Sequence, residues 1–331
     1  MFAVQSLPVA IVFCVVTMLG WGSWANTQKL AGKEKWPFEL FYWDYAIGVF
    51  LFSLIFAHTL GSFGSAGMST RENMHAADAL NMVPALLSGA IFNLSNILLV
   101  VAIDAAGMCV AFPVGVGLAL VIGTVENYLE TPKGNPVLIF GGVALIVCAM
   151  VCSALAHSRL PHSGAKSRSK GLVYAIVAGC LMGFFYPQLM KSISPGFNSI
   201  PIAPGMLTPY VALVAFGFGV LVSNLVWNTV FMRAGGVTYA SYFRGSAKLH
   251  AIGILGGFLW MIALSFNVIA SGVAGPAISY ALGQGATLVA ALWGLLIWHE
   301  FRNALPGTGK FIGLMLAGYT GGLILIVAAS L

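Results

Sequence analysis

Ten apolar runs, each long enough to cross a lipid bilayer, constrain this chain more than any other feature. A helix needs about 20 apolar residues to span roughly 30 Å of hydrocarbon. The predicted spans are 6–26, 38–60, 80–103, 106–128, 136–157, 171–191, 206–232, 248–270, 275–298 and 309–330. Charged residues make up only 7% of the sequence, against about 25% in soluble domains. The sequence therefore excludes a soluble enzyme and indicates an all-α polytopic membrane protein, located in the cell membrane (the inner membrane if the source is bacterial).

Basic residues predict the orientation of these spans, because cytoplasmic loops carry an excess of Lys and Arg. Twelve of the fifteen basic residues fall in loops that follow odd-numbered spans, and only Arg71, Lys133 and Lys191 fall in the others. We therefore expect the odd-numbered loops in the cytoplasm and both termini outside. The net charge of +6 fits this orientation and attraction to anionic headgroups of the bilayer. It does not indicate a nucleic-acid partner.

The most polar stretch, residues 158–170, divides the chain into two halves of five spans. An odd number of spans in each half predicts that the second half, 171–331, is inserted upside down relative to the first, 1–157. Glycines recur between the halves at one constant offset along the chain. Gly89, Gly107, Gly115 and Gly117 correspond to Gly257, Gly275, Gly283 and Gly285. The sequence thus predicts two inverted five-helix repeats joined by a basic cytoplasmic linker.

Two Gly-rich segments, 109–117 in span four and 279–285 in span nine, occupy corresponding positions in the repeats. An interrupted backbone at membrane depth is tolerated where it lines a cavity, so we expect Gly115 and Gly117 near the substrate. The alternative is close packing of helices through small residues.

Acidic residues inside the spans are candidates for proton coupling, because an ionised side chain at the bilayer centre costs at least about 2.5–3.5 kcal/mol. Asp44 lies in span two between aromatic residues and is the predicted proton-coupling residue. The alternative is a structural hydrogen bond or an ion pair with a basic residue. Glu39, Glu126 and Glu130 lie closer to the interfaces, where contact with water or headgroups is expected and no role is assigned.

Neutral polar and aromatic residues at mid-depth predict a binding site for an uncharged solute. A lone Asn often joins helices by one hydrogen bond, but several amides and aromatic rings together are typical of a binding cavity. The predicted substrate-binding residues are Asn93, Asn96, Gly115, Gly117, Trp260, Tyr280 and Gln284. No Arg or Lys cluster occurs at depth, which makes a phosphorylated substrate a poor fit.

Motifs of catalysis are missing from the sequence. There is no GxSxG, HExxH or complete phosphate-binding loop, and the five cysteines form no CxxC pair, so we expect inert buried thiols. We therefore predict no catalytic residues, no metal and no cofactor.

Several motifs resemble those of the ureide permease family, within the drug/metabolite transporter superfamily, and more distantly its bacterial sugar-uptake relatives. The motifs are Trp43-Asp44-Tyr45, Ile122-Gly-Thr124, Asn127-Tyr-Leu129, and the Gln284 segment leading to Leu292-Trp-Gly294 and Glu300. The resemblance implies ten helices in two inverted repeats and proton-coupled uptake of heterocycles such as allantoin or nucleobases. Plant members have a longer central segment with a nucleotide-loop-like motif. That segment is short here and lacks the motif, which argues against a role for ATP.

The leading hypothesis is a secondary transporter for a small uncharged polar solute, with protons as the coupling ion and alternating access as the mechanism. A sugar or polyol transporter of the same fold is the nearest alternative. A membrane-embedded enzyme would need converging acid, base or metal-binding residues, and a channel would conduct without saturation.

Overall fold

The computed structural model describes residues 1–160, 168–198 and 201–331, apart from the side chains of Met108, Cys109, Phe112 and Arg168. Within these ranges the chain is helical, and the only β pairing is two isolated bridges. The helices are α1 Leu7–Ser23, α2 Ala25–Lys33, α3 Phe38–His58, α4 Thr70–Ala76, α5 Ala79–Ala106, α6 Met108–Glu130, α7 Pro136–His157, α8 Arg168–Met190, α9 Pro209–Ala234, α10 Tyr239–Phe243, α11 Ala247–Ala274, α12 Pro276–Gly283, α13 Ala286–Leu292, a π-helical segment Trp293–Ile297, and α14 Thr308–Ala328.

Nine helical stretches within the described residues are long and apolar enough to cross a membrane. Two of them join shorter elements: Leu7–Lys33 combines α1 and α2, and Pro276–Ile297 combines α12, α13 and the π-helical segment. The prediction of an all-helical multi-pass membrane protein is confirmed. The predicted fourth span coincides with α6, which is 23 residues long but includes side chains outside the described set, so the count of ten remains a prediction.

Two glycines end the longest helices in the same way. Gly107 (φ 81°) follows α5, and Gly275 (φ 88°) follows α11. Both lie in the left-handed region, which favours glycine because a Cβ is strained there. Each helix is 28 residues long, and the two glycines stand directly after the last residue of each. The offset that relates the glycines in the sequence therefore also relates two whole helices.

The chain forms two compact units. Unit 1 comprises Met1–Asn93 and Gln188–Val273, and unit 2 comprises Leu94–Pro187 and Ala274–Leu331. The predicted domains, 1–157 and 171–331, are two halves related by a repeat in the sequence. The two units are instead defined by how compactly their residues pack, so they do not test that prediction. Most of the predicted linker, at residues 161–167, lies outside the described residues.

In unit 1, α11 crosses α3 with the two backbones in close approach. A Cβ on Gly257 would overlap the carbonyl oxygen of Tyr45, and a Cβ on Gly48 would overlap that of Ile254. Only glycine fits at these positions. Since lipid tails are as apolar as the helices themselves, such close packing is the main attraction available between helices in a membrane.

The crossing of α5 with α9 in unit 1 has the same construction. A Cβ on Gly89 would overlap the carbonyl oxygen of Phe216, and a Cβ on Gly219 would overlap that of Leu86. The contact positions on α5 and α11 correspond under the offset of the repeated glycines, and those on α9 and α3 correspond under a second constant offset. One crossing geometry therefore occurs twice in unit 1.

In unit 2, α7 packs on α14 through a facing pair of glycines. A Cβ on Gly142 would lie 2.6 Å from the carbonyl oxygen of Gly322, and one on Gly322 would lie 2.7 Å from that of Gly142. Gly318, one turn away, faces Ala149. The small residues of α14 thus pack helices together, as small-residue motifs commonly do in membranes.

Replacing Gly257 by Leu should destabilise the protein by at least about 1–3 kcal/mol, because the side chain has no space against the α3 backbone. The control is Gly313→Ala, where no atom of the described residues lies within 4 Å of an added Cβ and no loss is expected. The measurement is the thermal unfolding midpoint in detergent, and equal midpoints for the two variants would contradict the packing described.

Candidate functional site

A buried carboxylate in unit 1 contacts an imidazole and a phenol. The Asp44 side chain on α3 lies 2.9 Å (Oδ2) and 3.0 Å (Oδ1) from Nδ1 of His250 on α11. The hydroxyl of Tyr242 on α10 donates a hydrogen bond of 2.7 Å to Asp44 Oδ1. Asp44 itself is 1% exposed. We call these three residues the Asp44 cluster.

The local sequence explains how the cluster forms. Gly253 lies one turn beyond His250 on α11, and a Cβ there would overlap the Cβ of Asp44. The absence of a side chain at Gly253 lets α11 approach α3 closely enough for the imidazole to reach the carboxylate. Asp44 lies six residues into α3 and His250 three residues into α11, so the cluster sits about 5–9 Å along each helix from its first residue. In the predicted orientation this is the cytoplasmic side.

Aromatic rings surround the polar atoms of the Asp44 cluster. The Tyr242 ring meets the His250 ring edge to face at 4.8 Å, and the Trp36 ring does so at 5.8 Å. Outside these rings, Lys248 forms an exposed ion pair of 2.7 Å with Glu34. Hydrogen bonding to Lys248 lowers the pKa of the Glu34 carboxyl, but exposed ion pairs contribute little to stability.

Chemically, the Asp44 cluster can hold a proton on the carboxyl group, the imidazole ring or both. A carboxylate and an imidazole each have one form with the proton and one without it. Both interpretations of Asp44 therefore remain open: a structural ion pair fits these contacts, and so does a proton-coupling site. Sequence reasoning missed His250 and Tyr242, although a histidine in the first turn of a predicted span was a visible signal.

Trp260, a predicted substrate contact, lies in a group of stacked rings in unit 1. It stacks on Phe92 at 4.0 Å, on Phe216 at 5.7 Å and on Trp21 at 5.9 Å between ring centroids. Phe92 and Trp260 occupy corresponding positions in the repeat, at the midpoints of α5 and α11. We call these four residues the Trp260 cluster.

Asn93, another predicted contact, follows Phe92 on α5 and is completely buried. Its Nδ2 donates to the carbonyl oxygen of Val220 at 3.2 Å and to Ser223 Oγ at 2.9 Å, both on α9. Its Oδ1 is buried and has no hydrogen-bond partner among the described residues. The amide nitrogen therefore joins α5 to α9, whereas the amide oxygen makes no hydrogen bond with the described residues.

Tyr280 lies in unit 2, where its hydroxyl is already engaged. It donates to the carbonyl oxygens of Ala119 at 3.2 Å and Met182 at 3.4 Å, and its ring packs against Gly123. The Tyr186 ring lies 5.1 Å away. These contacts join α12 to α6 and α8, so a substrate that accepts a hydrogen bond from the Tyr280 hydroxyl would replace an existing one.

The other predicted contacts in unit 2 are buried or closely packed. Gln284 follows α12 and is 7% exposed, and Asn96 is 4% exposed. Gly115 packs against Leu99. At Gly117, the nearest atom of the described residues to the position of a Cβ is the sulfur of Met150, at 3.8 Å.

The eight predicted residues are thus divided between the units. Asp44, Asn93 and Trp260 belong to unit 1, and the list for unit 2 is Asn96, Gly115, Gly117, Tyr280 and Gln284. Their assignment as a substrate site stays a prediction. Among the described residues, no three His, Cys, Asp or Glu side chains are placed to hold a metal ion together.

Comparison with known proteins matches this chain to the ureide permeases and to bacterial uptake proteins. The family model of the ureide permeases matches residues 41–167. Ureide permease 1 and ureide permease 2 of Arabidopsis thaliana are 20% and 21% identical to this chain, and each alignment covers all of the chain and 99% of the relative. A Listeria innocua protein whose name describes sugar uptake is 24% identical over 92% of the chain and 94% of its own length.

The resemblance to the ureide permeases is confirmed. The bacterial sugar-uptake proteins are confirmed as more distant relatives. These relatives are named as permeases and uptake proteins, so the predicted class, a membrane transporter and not an enzyme, is confirmed as well. The family match includes Asp44 and nearly all of α3, which places the Asp44 cluster partly within the matched region.

Replacing Tyr242 by Phe should lower stability by about 1.5–3 kcal/mol, the usual value of a hydrogen bond to a charged group. Burial first, and then Asp44, raises the pKa of the Tyr242 hydroxyl above its ordinary 10.0. A raised pKa stabilises the fold below the ordinary value, and that stabilisation is lost as the pH rises through the raised one. The difference between the wild type and the variant should therefore be full at neutral pH and shrink above pH ~10.

The measurement is the thermal unfolding midpoint of both proteins across this pH range. Tyr239→Phe is the control, because the Tyr239 hydroxyl contacts Thr229 at an exposed position and not the carboxylate. A Tyr242→Phe protein as stable as Tyr239→Phe at neutral pH would show that the Asp44 hydrogen bond contributes nothing.

Proposed function

We propose that this protein is a secondary active transporter that takes up a small uncharged polar solute together with protons, by alternating access. The proposed substrate class is a ureide or nucleobase such as allantoin or uracil. The transporter class rests on the family match and the named relatives. The substrate class follows from the names of the plant relatives and from the buried amides and aromatic rings of the chain.

The observation that carries the proton coupling is the contact between Asp44 and His250. The carboxylate is 1% exposed and lies 2.9 Å from the imidazole Nδ1. A buried charge is stable only when it is paired and hydrogen-bonded. Protonation of Asp44 removes its negative charge and with it the attraction for a protonated His250. Proton uptake would thereby weaken the link between α3 and α11, which is the kind of change that alternating access needs.

The repeated helix crossing supports the proposal of two five-helix repeats, 1–157 and 171–331. The crossings of α11 with α3 and of α5 with α9 use corresponding glycines and corresponding carbonyl groups. Inverted repeats of this kind are common in secondary transporters. The opposite insertion of the two halves and the outside location of both termini are part of the proposal and rest on the distribution of basic residues.

We assign substrate contacts in unit 1 to Asn93 and Trp260. In unit 2 we assign them to Asn96, Tyr280 and Gln284. Gly115 and Gly117 would let the substrate approach the helix backbone closely. Amides match N–H and C=O groups, and aromatic rings stack on flat solutes.

A sugar or polyol is the second candidate substrate. It is favoured by the bacterial relatives, whose names describe the uptake of sugar and of glucose. Hydroxyl groups also bind to amides, and sugars also stack on aromatic rings, so the residues of unit 1 accommodate both classes.

The test is uptake of labelled allantoin, uracil and D-glucose into proteoliposomes, with and without an inward proton gradient. We expect saturable uptake of allantoin or uracil that rises with the gradient. Unlabelled competitors identify whether ureides and sugars share one site. Uptake of glucose alone would reject the substrate class, and uptake that ignores the gradient would reject proton coupling.

The matched variants are Asp44→Asn and Lys248→Gln. Asp44→Asn should abolish the stimulation by the proton gradient, because an amide cannot take up the proton, while exchange of solute across the membrane continues. Lys248 pairs with Glu34 at an exposed position, so its variant should accumulate solute as the wild type does. Gradient-stimulated uptake that survives in Asp44→Asn would remove this residue from the mechanism.

A further inference from the structure

Two buried amides lie on helices that cross in unit 1, Asn93 on α5 and Asn224 on α9. Asn93 reaches Val220 and Ser223 on α9. Asn224 directly follows Ser223 and lies one helical turn beyond Val220, on the same face of α9. Both amides are completely buried. Asn93 lies near the middle of α5, and Asn224 lies ten residues, about 15 Å, from the nearer end of α9.

The amide of Asn224 is without partners within the part of the chain that the structure describes. Its Oδ1 and its Nδ2 are both buried and make no hydrogen bond. Asn93 Oδ1 is also buried and makes no hydrogen bond. A buried polar group that makes no hydrogen bond is destabilising, and native proteins have few of them. On these two crossing helices, two acceptor oxygens and one donor nitrogen are therefore without a hydrogen bond among the described residues.

The backbone crossing itself does not depend on a pair of amides, as its second copy shows. The residue on α11 that corresponds to Asn93 is Met261, and the residue on α3 that corresponds to Asn224 is Ser53. Met261 is completely buried, and the Ser53 hydroxyl donates to the carbonyl oxygen of Phe50 within its own helix. The same backbone crossing is thus built without an orphaned amide.

We propose that Asn224, with Asn93, recognises the planar N–H and C=O edge of the substrate. This inference rests on the proposed function and adds Asn224 to its binding residues. A primary amide with both ends free forms two parallel hydrogen bonds with a neighbouring N–H and C=O, as Asn and Gln do with the edge of adenine.

Both amides are closed off in this conformation, so the substrate reaches them in another one. Alternating access supplies that second conformation. In that second conformation a bound substrate would form hydrogen bonds with these amides and so remove the cost of leaving them unsatisfied.

The decisive variant is Asn224→Leu, which replaces the amide by an apolar side chain of similar size. A binding role predicts that the empty protein unfolds at a higher temperature, because an unsatisfied buried group has been removed. It also predicts that transport of allantoin and uracil falls by about tenfold or more, the value of one bidentate contact. A structural role predicts a lower unfolding temperature.

Asn228→Leu is the matched control, one turn further along α9. Asn228 Nδ2 donates to the carbonyl oxygen of Glu39 on α3 at 2.8 Å, so its removal should lower the unfolding temperature. Opposite changes in the two variants support the inference. A decrease in both would overturn it, because Asn224 would then stabilise the fold as Asn228 does.

Specificity gives a second readout that a structural role would not change. Methylation of a ring nitrogen of uracil removes one N–H, so wild-type protein should prefer uracil to 1-methyluracil or 3-methyluracil. This preference should shrink in Asn224→Leu. If the wild type transports uracil and the variant keeps the full preference, the assignment of Asn224 is wrong and the proposed function stands. If the wild type transports D-glucose and neither allantoin nor uracil, the proposed substrate class itself has failed.

Discussion

Close approach of helix backbones is the constraint on which the rest of this structure depends. In hydrocarbon, burying apolar side chains between helices gains little free energy. Close van der Waals contact between the helix surfaces must therefore supply the attraction. Glycine permits that contact, and in unit 1 the backbone of Gly257 lies against Tyr45 as that of Gly89 lies against Phe216. The close approach also positions polar side chains on neighbouring helices, since the imidazole of His250 reaches α3 only because Gly253 has no side chain.

The two copies of this crossing share a backbone geometry but carry different chemistry. The copy formed by α3 and α11 holds Asp44 and His250, whereas the corresponding positions on α9 and α5 are Ala215 and Met82. The copy formed by α5 and α9 instead holds the amide of Asn93. A repeated scaffold can diverge in this way because the crossing depends on glycines and backbone atoms, which leaves the adjacent side chains free to change.

Sequence reasoning found the individual polar residues better than their partners. Asp44 stood out because an acid between aromatic residues in an apolar run is costly, and the structure shows it buried. Tyr242 and His250 lie 198 and 206 residues further along the chain, and only the packing of α10 and α11 brings them to the carboxylate. Tyr280 was selected for its polar group at mid-depth, yet its hydroxyl is engaged by backbone carbonyls of neighbouring helices. A polar residue within an apolar run indicates a buried polar group, but the sequence does not show which atom forms its hydrogen bond.

By itself, the sequence determined the membrane environment, the helical class and the approximate positions of the nine membrane-spanning stretches found among the described residues, because bilayer thickness and backbone hydrogen bonding permit few other solutions. It also determined the constant offset between repeated glycines that relates α5 to α11. Only the tertiary structure decided which helices meet and that the carboxylate of Asp44 is paired. It also decided that the amide of Asn224 has no hydrogen-bond partner among the described residues. Those outcomes depend on contacts between residues far apart in the chain, and no local pattern of hydrophobicity or spacing encodes them.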